Sequence, residues 1–474
     1  MSGFVQRLTN VRREEVAPIL ATALYFFFIL TALMILRPAR EALGMQRGIE
    51  AIRWLFMGTL VVTLLFNPVF GFLVARFRRL VFISATNLFF AANLVGFYAL
   101  LMLAPQAIGE TTGQVFYVWM SVFNLFITMV FWGLMADRFS LEQSKRLFGL
   151  IAVGGTLGAI FGSWLASILA ERLGTPHLLL IAAVSICLAL CAAWMVARLQ
   201  PERGAAGVEN AEEPPAVNER AIIGGSAWEG FRAVFRSPYL LGISAYVLIL
   251  AITVTFVYFT RLQMVAALGE GLDMRTATFA RIDLATQIAT LALQAIVAGH
   301  LMKRLGVSIT LALLPITVAL GFIGLAIVGT LAALVVFDAT FRAVQRAIMR
   351  PARETLFTVV SREDKYKSKA FIDTFVYRGG DAVGAQTEGL LGRLGMGLAA
   401  LASAAVPLAL VWAALGIWLG RVQQRKLQLR ADVPRAREEG AAADARKADP
   451  PRPAGGITGG AFQHPTGEQD AFTS

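Results

Sequence analysis

The chain has 474 residues, 57% of them hydrophobic and only 16% charged, with a mean hydropathy of +0.64. A soluble domain carries about 45 to 50% apolar and 25% charged residues, so an ordinary globular enzyme is excluded and a chain that crosses a bilayer repeatedly is indicated. The formal net charge of +12 would suggest a nucleic-acid partner in a soluble protein, but most of the 43 Lys and Arg fall on one side of the expected membrane. That asymmetry accounts for the excess without nucleic acid.

A bilayer span needs about 20 apolar residues. The first helix is expected at 17–36, preceded by Arg7, Arg12 and Arg13 and too long for a signal-peptide core, so it reads as retained. Five more follow at 53–74, 80–103, 112–135, 147–170 and 177–199. The segment from 200 is rich in Ala, Glu, Pro and Gly and ends in an amphipathic stretch, Trp228, Phe231, Val234 and Phe235 with Arg232 and Arg236, expected to lie flat on the membrane surface. Six further helices are expected at 239–261, 276–301, 306–329, 331–349, 369–392 and 396–420. Beyond Gly420 almost no large apolar residue remains to offset ordering entropy, and disorder is expected. The reading is an all-α membrane protein of twelve transmembrane helices: a six-helix bundle at 1–199, a linker with an interfacial helix at 200–238, a second bundle at 239–420 and a tail at 421–474. The excess of Lys and Arg puts both termini in the cytoplasm.

The two halves echo each other. The loop after helix four reads Ser140-Leu-Glu142-Gln-Ser-Lys145 and leads to Gly154-Gly155 and Gly158. The loop after helix ten reads Ser361-Arg-Glu363-Asp-Lys365 and leads to Gly379-Gly380 and Gly384. Helix one ends Ile35-Leu36-Arg37 and helix seven Phe259-Thr260-Arg261. Parallel six-helix repeats of this kind fit the major facilitator architecture, and the loop Gly71-Phe-Leu-Val-Ala-Arg76-Phe-Arg78-Arg79 is a degraded form of that superfamily's basic loop. Arg37-Pro-Ala-Arg40-Glu41 also matches Arg350-Pro-Ala-Arg353-Glu354, but the topology puts the copies on opposite sides, so the match reads as coincidence.

Charge inside a bilayer costs at least about 2.5 to 3.5 kcal/mol per residue, which makes intramembrane ions candidate functional groups. In helix ten Asp338, Arg342 and Arg346 form one stripe that continues to Arg350. It reads either as an Asp338–Arg342 ion pair with snorkelling arginines or as an anion-binding wall. Helix eight carries Arg281 and Asp283 with Gln287 and Gln294; helix eleven carries Asp373, Tyr377, Arg378, Asp381 and Glu388 among glycines. These line a cavity or, alternatively, hold helices eight, ten and eleven together by ion pairs. Arg37, Arg40 and Glu41 close helix one as cargo contacts or as interfacial anchors, and Asn67, Asn87 and Asn124 contact cargo or bond neighbouring helices. So many guanidinium groups favour an anionic cargo. Cys187 and Cys191 lie a turn apart with no other soft ligand, and of three histidines only His300 borders the membrane core, so no metal and no cofactor is expected. The residues of ATP hydrolysis and of membrane proteolysis are lacking, so the chain reads as no enzyme.

Several segments resemble a known family. Ile35-Leu36-Arg37-Pro38-Ala39-Arg40-Glu41 is similar to the Ile-Leu-Arg-Asp-Thr-Lys-Asp that closes helix one in the ATP/ADP translocases of plastids and intracellular bacteria, a branch of the major facilitator superfamily. Phe131-Trp132-Gly133 before Ala136-Asp137, with Lys145-Arg146-Leu147-Phe148, resembles that family's Phe-Trp-Gly-Phe-Ala-Asn and Ala-Lys-Arg-Phe. Lys369-Ala370-Phe371-Ile372-Asp373, followed by Arg378 and Gly379-Gly380, resembles its helix-eleven segment. The resemblance implies exchange of adenine nucleotides, with Arg40 standing where the family has its helix-one lysine. The chain departs from the family at Tyr117, near the family's helix-four glutamate, and at Asp381, near its helix-eleven lysine, with Arg378 one turn away.

The expectation is a secondary transporter in a bacterial inner membrane, working as a monomer by alternating access on a small anionic solute such as ATP or ADP. Its site would comprise Arg37, Arg40, Arg281, Asp283, Asp338, Arg342, Arg346, Asp373, Arg378 and Asp381. A proton-coupled symporter or exporter using Asp283, Asp381 or Glu388, and a non-transporting sensor or scaffold acting through its tail, are the alternatives.

Overall fold

The computed structural model describes residues 15–77, 79–103, 106–139, 141–199, 227–269, 271–297, 301–394 and 398–448. Residues up to Gln423 form one compact unit and Gln424–Ser474 a second. Among the described residues there are helices and no strands.

The first six helices are α1 (Val16–Gly44), α2 (Ile49–Arg76), α3 (Arg79–Leu103), α4 (Gln106–Arg138), α5 (Leu141–Leu173) and α6 (Thr175–Leu199). The amphipathic stretch forms α7 (Ala227–Arg236), followed by α8 (Pro238–Ala267), α9 (Leu272–Val297) and α10 (Leu301–Val328). Two helices are interrupted by wide turns. Helix α11 runs Leu331–Val344, passes through a π turn at Gln345–Met349 and continues as Arg350–Leu356; α12 runs Arg362–Phe371, a π turn at Ile372–Val376 and Tyr377–Arg393. Helix α13 is Leu398–Ala448.

The starts of α8, α11 and α12 are set by side-chain caps. Ser237, Thr330 and Ser361 accept hydrogen bonds from the amides of Leu240, Ala333 and Asp364, each three residues on. Gly306 takes a positive φ of 69° inside α10, so the apolar helix starts where the sequence expects it, at 306. The eight helices long and apolar enough to cross a membrane are α1, α3, α4, α5, α6, α8, α10 and α13. Helices α2, α9, α11 and α12 fall outside that set among the described residues, and three of them carry the buried charge.

Two boundaries differ from expectation. Helix α1 continues to Gly44, placing Arg37, Arg40 and Glu41 inside it rather than at its interfacial end. Helix α13 continues past Gly420 as far as Ala448, because Arg, Gln, Leu, Ala and Glu are strong helix formers; residues 449–474 lie outside the described residues. Helix α7 is also packed on the Arg362–Phe371 segment, with Phe231 and Phe371 rings 5.8 Å apart and Val234 buried, while Phe235 stays exposed.

Each half has its own apolar core. Tyr25, Phe82, Phe90, Phe123 and Phe131 belong to one, drawn mainly from α1 and α3 to α6. Tyr246, Phe322, Phe337, Phe341 and Trp412 belong to another, drawn from α8, α10, α11 and α13. A smaller cluster, including Ala42, Ile52 and Tyr117 with Phe259, Leu262 and Phe279, crosses between them. The repeat legible in the sequence reappears as packing. A Cβ at Gly154 or Gly158 would strike the α1 backbone at Ala23 or Phe27, and one at Gly380 or Gly384 would crowd α8 at Leu248, Ala251, Ile252 and Thr255. Small residues let each pair of backbones approach closely.

Consecutive helices alternate in direction, so the fold has a Val16 face and a Gly44 face. Gln143 donates to Glu15 at 3.3 Å on the first, where Arg79 of the basic loop also pairs with Asp137 of α4. On the Gly44 face α2 and α12 are tied across the two halves: Arg53 donates twice to Glu388, at 3.0 and 2.9 Å, and Arg393 pairs with Glu50. Helix α9 is tied to the α5–α6 corner, where Asp273 accepts from the Thr175 amide at 2.6 Å.

Candidate functional site

Four helices bring charge to the centre. Arg342 of α11 makes a fork to Asp338, Nε to Oδ1 at 2.9 Å and Nη2 to Oδ2 at 2.8 Å, and donates from Nη1 to Asp283 of α9 at 2.7 Å. Arg261 of α8, 1% exposed, lies 3.5 Å from Asp283, 3.9 Å from Asp338 and 3.8 Å from Glu41 of α1. Its three guanidinium nitrogens make no hydrogen bond among the described residues, so it is held by charge rather than by geometry, between the rings of Tyr258 and Phe279. Arg37 joins from α1, 3.6 Å from Asp283. Glu41 accepts from Arg40 at 2.7 Å and from the Tyr258 hydroxyl, which stands 2.8 Å from the hydroxyl of Tyr117. The network joins α1, α8, α9 and α11, and through Tyr117 it reaches α4. A charge buried this deeply is retained only when its partners compensate it.

Beside the network lies a cavity of about 470 Å³. Arg37, Arg40, Arg350 and Arg378 line it together with Glu41 and Asp381. Tyr117, Tyr258, Tyr377 and Phe56 supply aromatic surface, and Thr59, Ser121, Asn124 and Thr255 supply neutral polar groups. Arg40 stacks 4.4 Å over the Tyr117 ring. Asp381 is shared between Arg378, at 3.3 Å, and the Thr255 hydroxyl, at 3.4 Å. The arginines outnumber the carboxylates, so the cavity presents excess positive charge within a low-dielectric frame. The larger cavity, about 840 Å³ between α2, α3 and α4, is lined almost wholly by apolar side chains such as Phe66, Phe89 and Phe126 and holds no charge.

The expected site residues are placed in four ways. Arg37, Arg40, Arg378 and Asp381 line the cavity. Asp283, Asp338 and Arg342 form the buried network behind it, so helix ten holds the intrahelical pair and helix eleven holds the cavity wall. Arg346 donates to Gln287 at 2.6 Å. Arg281 and Asp373 stand apart: Arg281 is exposed and pairs with Glu171, and Asp373 pairs with Arg353 at 3.3 Å. Glu388 belongs to the Gly44-face tie with Arg53 rather than to the cavity. Of the asparagines, Asn124 lines the cavity and Asn87 donates to the Ile83 carbonyl of its own helix; the side chain of Asn67 lies outside the described residues.

Among the residues missing from the expected set, Arg261, Tyr258 and Arg350 belong to the centre. Arg261 was signalled by its correspondence with Arg37, six helices earlier. Tyr258, one turn before it, carried no signal of its own. Arg350 was signalled by the matching pentapeptides: Arg37, Arg40 and Glu41 of the first copy and Arg350 of the second line the same cavity. The match therefore brings like residues together, because α1 and α11 enter the cavity from opposite faces.

Two helical halves, a charged contact between them and a polar cavity at their junction define a multi-pass membrane transporter. The chain belongs to the Major Facilitator Superfamily, whose model matches residues 16–350. Solved structures share the fold. A bacterial homologue of the human lysosomal transporter Spinster, in an inward-facing and unoccupied conformation, aligns with a TM-score of 0.58 at 14% identity over 88% of this chain and 99% of its own. The nucleoside transporter NupG aligns at 0.55 and 14% identity, over 86% and 99%. The peptide transporter POT in complex with sulfate aligns at 0.58 and 13% identity, over 84% and 95%. No curated protein matches the chain significantly.

Proposed function

We propose that the protein exchanges a phosphorylated or otherwise anionic solute, adenine nucleotides first among them, by alternating access around the central cavity. The observation that carries the reading is the convergence of Arg37, Arg40 and Arg378 on one cavity of about 470 Å³. Guanidinium forks match phosphate and carboxylate groups, and the neighbouring tyrosines offer faces on which a base can stack. The resemblance to ATP/ADP translocases at Arg40 supports the nucleotide; Tyr117 and Asp381, which depart from that family, assign the charge differently. In this reading Asp283, Asp338 and Arg342 hold the helices that present the clamp. In this reading the Val16 face is cytoplasmic, by the distribution of Lys and Arg, and the membrane is a bacterial inner one.

Thermal unfolding of the purified full-length protein tests this, because cargo that binds the native state raises the melting temperature by mass action. ADP, ATP, sugar phosphates or dicarboxylates are expected to raise it, and Arg40→Ala and Arg378→Ala to abolish the rise. Stabilisation by neutral solutes and by no anion overturns the reading. A second reading, proton-coupled transport, is favoured by Asp381, a buried carboxylate on the cavity wall whose one cationic neighbour among the described residues is Arg378. It requires uptake driven by a pH gradient and lost in Asp381→Asn.

A further inference from the structure

We propose that Arg350 captures the anion at the mouth of the cavity, before the cargo reaches Arg378, Arg37 and Arg40. The inference rests on the reading of the cavity as an anion site and names the residue through which an anion enters it.

The first argument is the partner count. Arg37 has Asp283 at 3.6 Å, Arg40 has Glu41 at 2.7 Å and Arg378 has Asp381 at 3.3 Å. Arg350 lines the same cavity and is exposed, yet it makes no hydrogen bond or ion pair among the described residues. An incoming anion must compete with a carboxylate at each of the other three arginines and with water alone at Arg350.

The second argument is placement. In a regular α-helix Arg350 would continue the Asp338, Arg342 and Arg346 stripe. The π turn Gln345–Met349 stands directly before it and changes its angular position relative to that stripe, so Arg346 bonds Gln287 while Arg350 reaches the cavity. The second π turn, Ile372–Val376, stands directly before Tyr377 and Arg378, which also line it. Such turns give up regular hydrogen bonding and concentrate at functional sites. The two are linked, because Arg353 of α11 pairs with Asp373 inside the second turn at 3.3 Å. Glu354 pairs in turn with Lys369. The second Arg-Pro-Ala-Arg-Glu copy thus anchors its last two residues to α12 and leaves its first free for the cavity.

The third argument is position along the cavity. Arg350 opens the segment Arg350–Leu356 that ends α11 on the Val16 face, whereas Arg40 and Glu41 lie toward the Gly44 end of α1. Among the described residues the polar ties between the halves, such as Arg53 with Glu388 and Thr175 with Asp273, lie at the centre and on the Gly44 face. An anion from the Val16 face therefore meets Arg350 first. An exposed charge at an entrance acts mainly on the association rate, which electrostatic steering raises and salt suppresses.

The test uses the full-length protein in detergent with ADP and pyrophosphate as probes, measuring equilibrium affinity by calorimetry and association rate by stopped flow at several salt concentrations. Arg350→Ala is expected to lower the association rate for both probes roughly 10-fold and to flatten its dependence on salt, leaving the melting temperature of the unliganded protein unchanged. Arg350→Lys, which keeps the charge, is expected to retain most of the rate. Arg40→Ala is expected to lose affinity chiefly through faster dissociation. If Arg350→Ala associates as fast as the unaltered protein while Arg40→Ala binds poorly, the capture role is overturned and the anion site stands. If the unaltered protein binds neither probe, both are overturned.

Discussion

Two groups of arginines sit side by side at the centre of this molecule and do different work. In the buried group, Arg261 and Arg342 are enclosed by Asp283, Asp338 and Glu41, each carboxylate no more than 2% exposed. In the cavity group, Arg37, Arg40, Arg350 and Arg378 are partly open, and Glu41 and Asp381 alone among the lining residues oppose them. The same side chain is enclosed by carboxylates in one setting and, in the proposed function, a ligand group in the other. The difference is the ratio of carboxylates to guanidinium groups and the access of water, not the residue type. A neutralised network has nothing left to offer a cargo, and an underneutralised wall is stable only because it can hydrate or bind an anion.

The sharpest way to break this distinction is to remove one member of the buried group. Arg342→Ala strands Asp338 and deprives Asp283 of its shortest contact, and it is expected to cost about 3 to 5 kcal/mol, read as a large fall in melting temperature or failure to purify. Replacing the intrahelical pair together, Asp338→Leu with Arg342→Met, is expected to recover most of that loss, since a buried pair exchanged for apolar residues of similar size is often neutral. Recovery would show that this pair fastens rather than binds. If the double variant is as unstable as the single one, the network contributes more than its charges.

The sequence showed the buried charges but not their division. Twelve helices and the repeat were legible because apolar runs, Gly154 with Gly158 and Gly380 with Gly384 are local patterns. Which carboxylate meets which arginine is a tertiary fact: Asp283 and Arg342 are far apart in the chain, and Glu41 looked interfacial until α1 proved to continue to Gly44. The π turns also left no readable mark. Helical spacing puts Arg350 on one stripe with Arg346, and Asp373 on one face with Tyr377; Arg346 and Asp373 each lie within a wide turn, which shifts them relative to the residue that follows it. Arg281 stands apart from the cavity for a simpler reason. It is two residues from Asp283, and on a helix residues at that spacing do not face the same way.

The Gly44-face tie should respond less strongly, and in conformation rather than stability. Arg53 and Glu388 join the halves by a two-bond fork, so Arg53→Ala is expected to favour opening on that face by roughly 10-fold, the scale of one charged hydrogen-bonded contact. The measurement is the labelling rate of Ser121→Cys, on the cavity wall, by a membrane-impermeant thiol reagent added from the Gly44 side. Cys187 and Cys191, both exposed, are first replaced by alanine. Faster labelling in Arg53→Ala supports the tie as a latch, and an unchanged rate reduces it to a packing contact. Neither result touches the buried network, which keeps the same partners in both variants.

The smallest effect belongs to Arg281, and it sets the lower end of the comparison. Its side chain is 56% exposed and meets Glu171, itself one-third exposed, so water and salt screen the pair on both sides. Arg281→Ala is expected to change stability by about 0.5 kcal/mol or less and to leave the melting-temperature rise with ADP intact, in contrast to Arg40→Ala and Arg378→Ala. Two residues along the same helix, Asp283→Asn should behave like Arg342→Ala, because it removes a charge that three arginines share. If Arg281→Ala instead abolishes the response to ADP, helix α9 presents a second face to cargo in a state other than this one, and the boundary drawn between fastener and ligand arginines would move outward to include it.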